Sequence, residues 1–163
     1  MSNVTPPLRS STPADDRRVR AFLQAAGLPA DDVASGAQEY LLLEEGDELV
    51  GTIGLERVGA DALVRSLAVA ASRRGRGIAV RLDAGAVALA QERGVGTLYL
   101  LTTTAEAFAL RRGYERVPRS EVPPGILALP QFRALCPATA VCMRRRLSPA
   151  TPSAAPEPAD PRD

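Results

Sequence analysis

Five consecutive residues, Arg73-Arg74-Gly75-Arg76-Gly77, set guanidinium groups among two glycines spaced one residue apart. Guanidinium forks match the oxygens of phosphate groups. Glycine lets the backbone take φ > 0 and approach a ligand closely. From Ile78 onward the chain reads as a helix whose first turn carries no acidic residue. The N–H groups at a helix start lack intrahelical partners and sit at the positive end of the helix dipole. Together these features describe an anion site, with a pyrophosphate as the natural guest. A glycine turn that merely exposes arginines is the plain alternative, and the surroundings must decide between them.

Two familiar phosphate loops are ruled out. Val80 stands where a third glycine would complete the dinucleotide fingerprint, and no Gly-Lys-Ser/Thr follows, as a P-loop would need. The chain holds no histidine, which excludes imidazole metal ligands, Ser-His triads and histidine bases. Two cysteines, Cys136 and Cys142, are too few for a disulfide framework or a four-ligand zinc site. No metal is expected.

Composition narrows the class further. The 163 residues suit one domain. Twenty basic residues, all arginine, face 19 acidic ones, and that balance argues against a protein that coats nucleic acid. No run approaches the ~20 apolar residues of a membrane span, and Met1–Pro7 has no apolar signal-peptide core. A cytoplasmic protein without nucleic-acid or membrane partners is the expectation.

The elements that must position the loop follow from periodicity. Residues 1–7 read as a flexible lead and Leu8–Ser11 as a short edge strand. Thr12 caps a helix with Pro13 at its first position and acids in its first turn. Val19, Phe22, Leu23 and Ala26 give that helix one apolar face, and Gly27 ends it. A second short helix is predicted over Ala30–Ser35. Strands at 40–44, 49–57 and 62–69, joined by turns at Glu44–Asp47 and Gly59–Asp61, form an antiparallel meander. After the glycine loop, a helix over Ile78–Arg93 presents Ile78, Leu82, Gly85, Ala86 and Leu89 to the sheet. Thr97–Leu101 then reads as a strand buried on both faces, and a strand–helix–strand unit of this kind implies parallel pairing. Thr103 and Glu106 match a capping box for a short helix ending at Gly113. Strands over Tyr114–Val117 and Ala138–Met143 complete the domain, spanning 8–147. From Ser148 the Pro-Ala-Ser tail, 148–163, has no apolar anchor and is expected to be disordered.

The strand Ser66-Leu67-Ala68-Val69 and the loop Arg74-Gly75-Arg76-Gly77-Ile78-Ala79 resemble the GCN5-related N-acetyltransferases (GNAT), whose acyl-CoA motif is Arg/Gln-x-x-Gly-x-Gly/Ala. The resemblance covers about 8–147. It implies an α/β (α+β) fold, with a mixed sheet of six to seven strands flanked by helices and a central strand–loop–helix CoA site. It implies acetyl-CoA as co-substrate, with Arg74, Gly75, Arg76, Gly77, Ile78 and Ala79 on the pyrophosphate and backbone of Leu67, Ala68 and Val69 along the pantetheine arm. Leu100–Phe108, Val117–Arg119 and Phe132–Ala138 further resemble the N-acetyltransferases encoded in arsenic-resistance operons.

One departure from the family pattern bears on mechanism. A tyrosine four residues before the Gly-aromatic pair commonly protonates the leaving thiolate, and here that position is Ala109, before Gly113-Tyr114. Thr102, Thr103 or water are the replacements, unless the thiolate leaves unprotonated, as a thiol with pKa near 8.5 permits. Glu56 is the candidate base, acting through water. Arg65 interrupts the apolar pattern of its strand, either to bind an acceptor carboxylate or to snorkel outward. Arg119 is a second candidate for that carboxylate, and Cys136 a candidate for the pocket wall. An α-amino group is partly neutral at pH 7 while a lysine amine is not, so a small, amino-acid-like primary amine is the expected acceptor, an arsenic-containing or other toxic amino acid among them. A homodimer is a further expectation. A non-catalytic CoA sensor or protein-interaction domain of the same fold is the alternative.

Overall fold

The computed structural model describes residues 7–135 and 139–148. Seven strands form one sheet in the order β1-β2-β3-β4-β5-β7-β6. The strands are β1 (Leu8–Ser10), β2 (Gln38–Glu45), β3 (Glu48–Val58), β4 (Asp61–Val69), β5 (Thr97–Thr102), β6 (Glu115–Arg116) and β7 (Val141–Arg146). Among the described residues four α-helices accompany them: α1 (Asp16–Ala25), α2 (Ile78–Glu92), α3 (Glu106–Arg111) and α4 (Pro124–Leu127). The meander is as the alternation predicts, with β2–β3 and β3–β4 antiparallel. Strands β4 and β5, joined through α2, pair in parallel.

Helix α2 covers one face of the sheet. Its Leu82 and Ala86 pack with Ile53, Leu55, Val64 and Leu98. Gly51 and Gly85 permit this contact: a Cβ at Gly51 would lie 2.9 Å from Leu82 Cδ1, and one at Gly85 would lie 2.5 Å from Leu8 Cδ1. On the opposite face, α1 buries Val19 and Leu23 against Tyr40, Leu42 and Ala68. Leu63, Tyr99, Leu101, Ile126 and Phe132 form a third cluster beneath the far half of the sheet.

Several local expectations are corrected. The segment after α1 forms only a 3-10 turn at Val33–Ser35. The strand expected over 114–117 shrinks to two residues, and the last strand runs to Arg146. Thr103 does not cap α3. Thr102 Oγ1 accepts the N–H of Ala105 at 2.8 Å and of Thr104 at 3.2 Å, so the hydroxyl turn forms one residue earlier. At the chain's start, the Asp15 carboxylate accepts the Thr12 N–H at 2.8 Å and two guanidinium donors of Arg9. Nearly all of the expected lead (1–7) and tail (148–163), and Cys136 as well, lie outside the described residues.

Candidate active site

The site begins where β4 and β5 part. They pair only at Asp61↔Thr97, Ala62↔Leu98 and Leu63↔Tyr99. Beyond Leu63 the β5-side edge of β4 has no strand partner, so its backbone donors and acceptors on that side are open to a ligand. A cavity of about 570 Å³ occupies the gap, lined by Val64, Ser66 and Leu67 on β4 and by Leu100, Leu101 and Thr102 on β5.

β4 is irregular at this point. Its register to β3 steps from Thr52↔Ala68 to Gly54↔Arg65, leaving Ser66 and Leu67 together opposite Ile53. Ser66 has φ 58°, the left-handed region that a β-carbon disfavours. Such a bulge takes backbone out of the ladder and re-aims it. Ala68 and Val69 then rejoin β3, and their opposite edge continues the open wall toward the loop.

The strand ends in a 3-10 turn at Ala71–Arg73. Gly75 (φ 79°) and Gly77 (φ 76°) turn the chain into α2, with Gly77 as its N-cap. Arg81 N–H closes on the Gly77 carbonyl at 3.1 Å, so the N–H groups of Ile78, Ala79 and Val80 precede the first intrahelical bond. The three arginines are not equivalent. Arg73 donates to Glu45 at 2.7 Å, and that contact holds its guanidinium above the usual arginine range. Arg74 and Arg76 are exposed, and among the described residues neither has a carboxylate partner. The loop therefore offers two unpaired cations and a helix N-terminus at one end of the open β4 edge.

The acceptor-side candidates are arranged differently from the sequence reading. Arg65 neither snorkels outward nor offers an empty fork. Its side chain is buried, Nη1 and Nη2 reach Asp32 at 2.6 and 2.7 Å, and Nη1 reaches Glu56 at 3.2 Å. Glu56 is 5% exposed and lies behind Arg65 rather than on the cavity wall. Asp32 had no signal of its own beyond a place near a helix start. It anchors the segment after α1, whose Gly27, Leu28 and Pro29 form the cavity's rim. Thr102 and Thr103 both line the cavity. Arg119 stands over the Phe132 ring at 5.8 Å and donates to the carbonyl of Ala140, itself a wall residue, at 3.3 Å.

A second buried polar group at the α2 end of the cavity was missed. Asp83 is 2% exposed, and it accepts from Arg112 Nε at 3.0 Å and from the Tyr114 hydroxyl at 3.2 Å, with Arg145 at 3.5 Å. Burial, and then the Asp83 charge, push the Tyr114 phenol far above its ordinary range, so it stays protonated. Its sequence signal was an acid on the apolar stripe of α2. With Ala109 beside it, Tyr114 is the phenol on this wall.

The comparisons agree with this geometry. Among curated proteins, no sequence matches the chain. Solved structures share its fold. N-acetylglutamate synthase from Neisseria gonorrhoeae, complexed with coenzyme A and L-arginine, superposes with a TM-score of 0.70 at 19% identity, over 86% of this chain and 33% of the synthase. The chain thus spans about a third of that protein's length. A GNAT-family acetyltransferase from Staphylococcus aureus Mu50 superposes with a TM-score of 0.73 at 16% identity, over 87% of this chain and 99% of its own. An aminoglycoside 6'-N-acetyltransferase complexed with coenzyme A gives 0.67 at 19% identity, over 88% and 98%. The model of the acetyltransferase (GNAT) family matches residues 8–117, which include the whole of the bulge, the loop and α2. With the parted strands, the bulge and the arginine–glycine loop all inside that match, the chain belongs to the GNAT acetyltransferase family.

Proposed function

We propose that the protein transfers an acetyl group from acetyl-CoA directly to a small primary amine. The observation that carries this reading is the succession along one stretch of chain: a bulge on the cavity wall, then a β4 edge without a strand partner, then a helix N-terminus beside Arg74 and Arg76, which among the described residues have no carboxylate partner. In this arrangement the pyrophosphate lies at residues 74–79 and the pantetheine arm runs along Leu67–Val69. The acetyl group then reaches the gap beside Ser66 and Leu67.

The amine enters from the Leu28–Pro29 rim and attacks the thioester carbon, forming a C–N bond. The tetrahedral oxyanion is met by backbone N–H of the bulge. Its collapse breaks the C–S bond and releases CoA thiolate. Before the attack Glu56, through water, takes one proton from the ammonium to leave the neutral amine. The second N–H proton leaves as the C–S bond breaks and passes through water to the departing thiolate. In this reading the hydroxyls of Thr102 and Thr103, which line the cavity, donate toward the departing sulfur.

The acceptor is amino-acid-like in this proposal, and the cation for its carboxylate is Arg119. Arg65, already held by two carboxylates, serves instead to fix Asp32 and Glu56. A thiol-release assay with acetyl-CoA over a panel of amino acids, arsenic-containing analogues, polyamines and amine toxins tests the reading. Turnover on α-amino acids supports it. Turnover confined to polyamines would overturn the amino-acid-like assignment, and CoA binding without turnover on any amine would replace the enzyme with a sensor.

A further inference from the structure

Thr52 lies in the middle of β3, wholly buried, a hydroxyl among apolar neighbours. It marks the edge of the register step, where Ser66 and Leu67 crowd opposite Ile53. Its Oγ1 donates to the Ser66 carbonyl at 2.9 Å. A part-buried carbonyl lifted out of a ladder needs another donor, and the threonine hydroxyl supplies one. Ser66 is the one non-glycine residue with positive φ among the described residues, so the bulge is a conformation the chain must hold in place.

The consequence comes from peptide planarity. The Ser66 carbonyl and the Leu67 N–H belong to one trans peptide unit, in which C=O and N–H point in opposite directions. Fixing the carbonyl on β3 turns the Leu67 N–H away from β3. On that side β4 has no strand partner, and both residues line the cavity.

We propose that Thr52 is a positioning residue that aims the Leu67 N–H at the oxyanion of the acetyl-transfer transition state; this rests on the acetyltransferase reading above. Thr52 touches no reacting atom. It acts through the peptide it anchors, and donors of this kind lose their effect when they leave the 2.7–3.1 Å range of the oxyanion. Charge on the carbonyl oxygen grows in the transition state, so a misaimed N–H lowers kcat while leaving ground-state binding of acetyl-CoA nearly intact.

The experiment compares the full-length wild type with Thr52→Val and Thr52→Ser, measuring kcat and KM by thiol release, acetyl-CoA affinity by calorimetry, and thermal unfolding. Removing an oxyanion donor outright costs about 10²–10³ in kcat. Misaiming one through Thr52→Val should cost about tenfold or more, with acetyl-CoA Kd within about twofold of wild type. Thr52→Ser should restore most of the rate. A folded Thr52→Val protein with wild-type kcat overturns the proposal, as does a folded Thr52→Ser protein as slow as the valine variant. If the valine variant does not fold, Thr52→Ala replaces it, and an unchanged kcat there is equally fatal. A wild type that turns over no amine overturns the acetyltransferase reading itself. An active wild type with an indifferent Thr52 overturns only this inference.

Discussion

Gly77→Asp puts the donor site under the most specific test. Gly77 caps α2 at φ 76°, and a Cβ there would meet nothing within 4 Å. The substitution therefore introduces no clash in the free protein, only backbone strain of about 1–2 kcal/mol and a negative charge. With a pyrophosphate against the same turn, Coulomb's law for charges about 5 Å apart gives ~1 kcal/mol per charge pair in water and ~3 kcal/mol at the effective dielectric of a protein surface. Affinity for acetyl-CoA should fall by about fivefold to a few hundredfold. Gly59→Asp supplies the control, because Gly59 has φ 61° and equally open surroundings at the β3–β4 turn. Calorimetric titration of both variants, with thermal unfolding alongside, separates strain from charge. Equal acetyl-CoA affinity for Gly77→Asp and Gly59→Asp would refute the placement of the pyrophosphate on this loop.

Three further outcomes follow from other parts of the structure. Glu56→Gln should lower kcat at pH 7 by about 10² or more, and the deficit should narrow toward pH 9 as the acceptor amine deprotonates by itself; a pH-independent deficit in the rate profile would contradict a base role. Gly51→Ala should destabilise the fold by about 1–3 kcal/mol in denaturant titration, since the new methyl lies 2.9 Å from Leu82 Cδ1 and 3.1 Å from Ile78 Cγ2. The Arg9 guanidinium, and then the Thr12 N–H, hold the Asp15 carboxyl well below the usual carboxylate range. A folded-state pKa lowered in this way adds stability that is present above the unfolded value near 3.9 and disappears as pH falls through the folded value. Asp15→Asn should therefore cost about 1–2 kcal/mol at pH 7, with the gap to wild type closing below about pH 4, as followed by unfolding midpoints across pH.

The elements around the donor loop were legible because each is set by local pattern. Alternation and turn residues mark β2, β3 and β4, while the two glycines and the following apolar stripe mark the loop and α2. What stayed hidden depends on contacts far apart in the chain. Arg65 announced itself by interrupting an apolar strand, but its partner Asp32 is 33 residues away, and nothing local pairs them. The bulge at Ser66 leaves no trace in sequence, since serine is not a residue that advertises positive φ. Thr52 reads as an ordinary β-branched strand residue until the carbonyl opposite is seen. Asp83 did carry a signal, an acid beside Leu82 on the buried stripe, whose meaning required Arg112 and Tyr114 to be folded against it. The Thr103 capping box shows the reverse case: the motif was present, but the chain turned one residue earlier on Thr102.

The central claim is that acetyl-CoA binds along residues 67–79 and delivers its acetyl group into the gap between β4 and β5. Calorimetric titration of the wild-type protein with acetyl-CoA tests it most directly. The account predicts one saturable site per chain, weakened selectively by Gly77→Asp. No heat of binding at millimolar acetyl-CoA, with the protein folded, would contradict it.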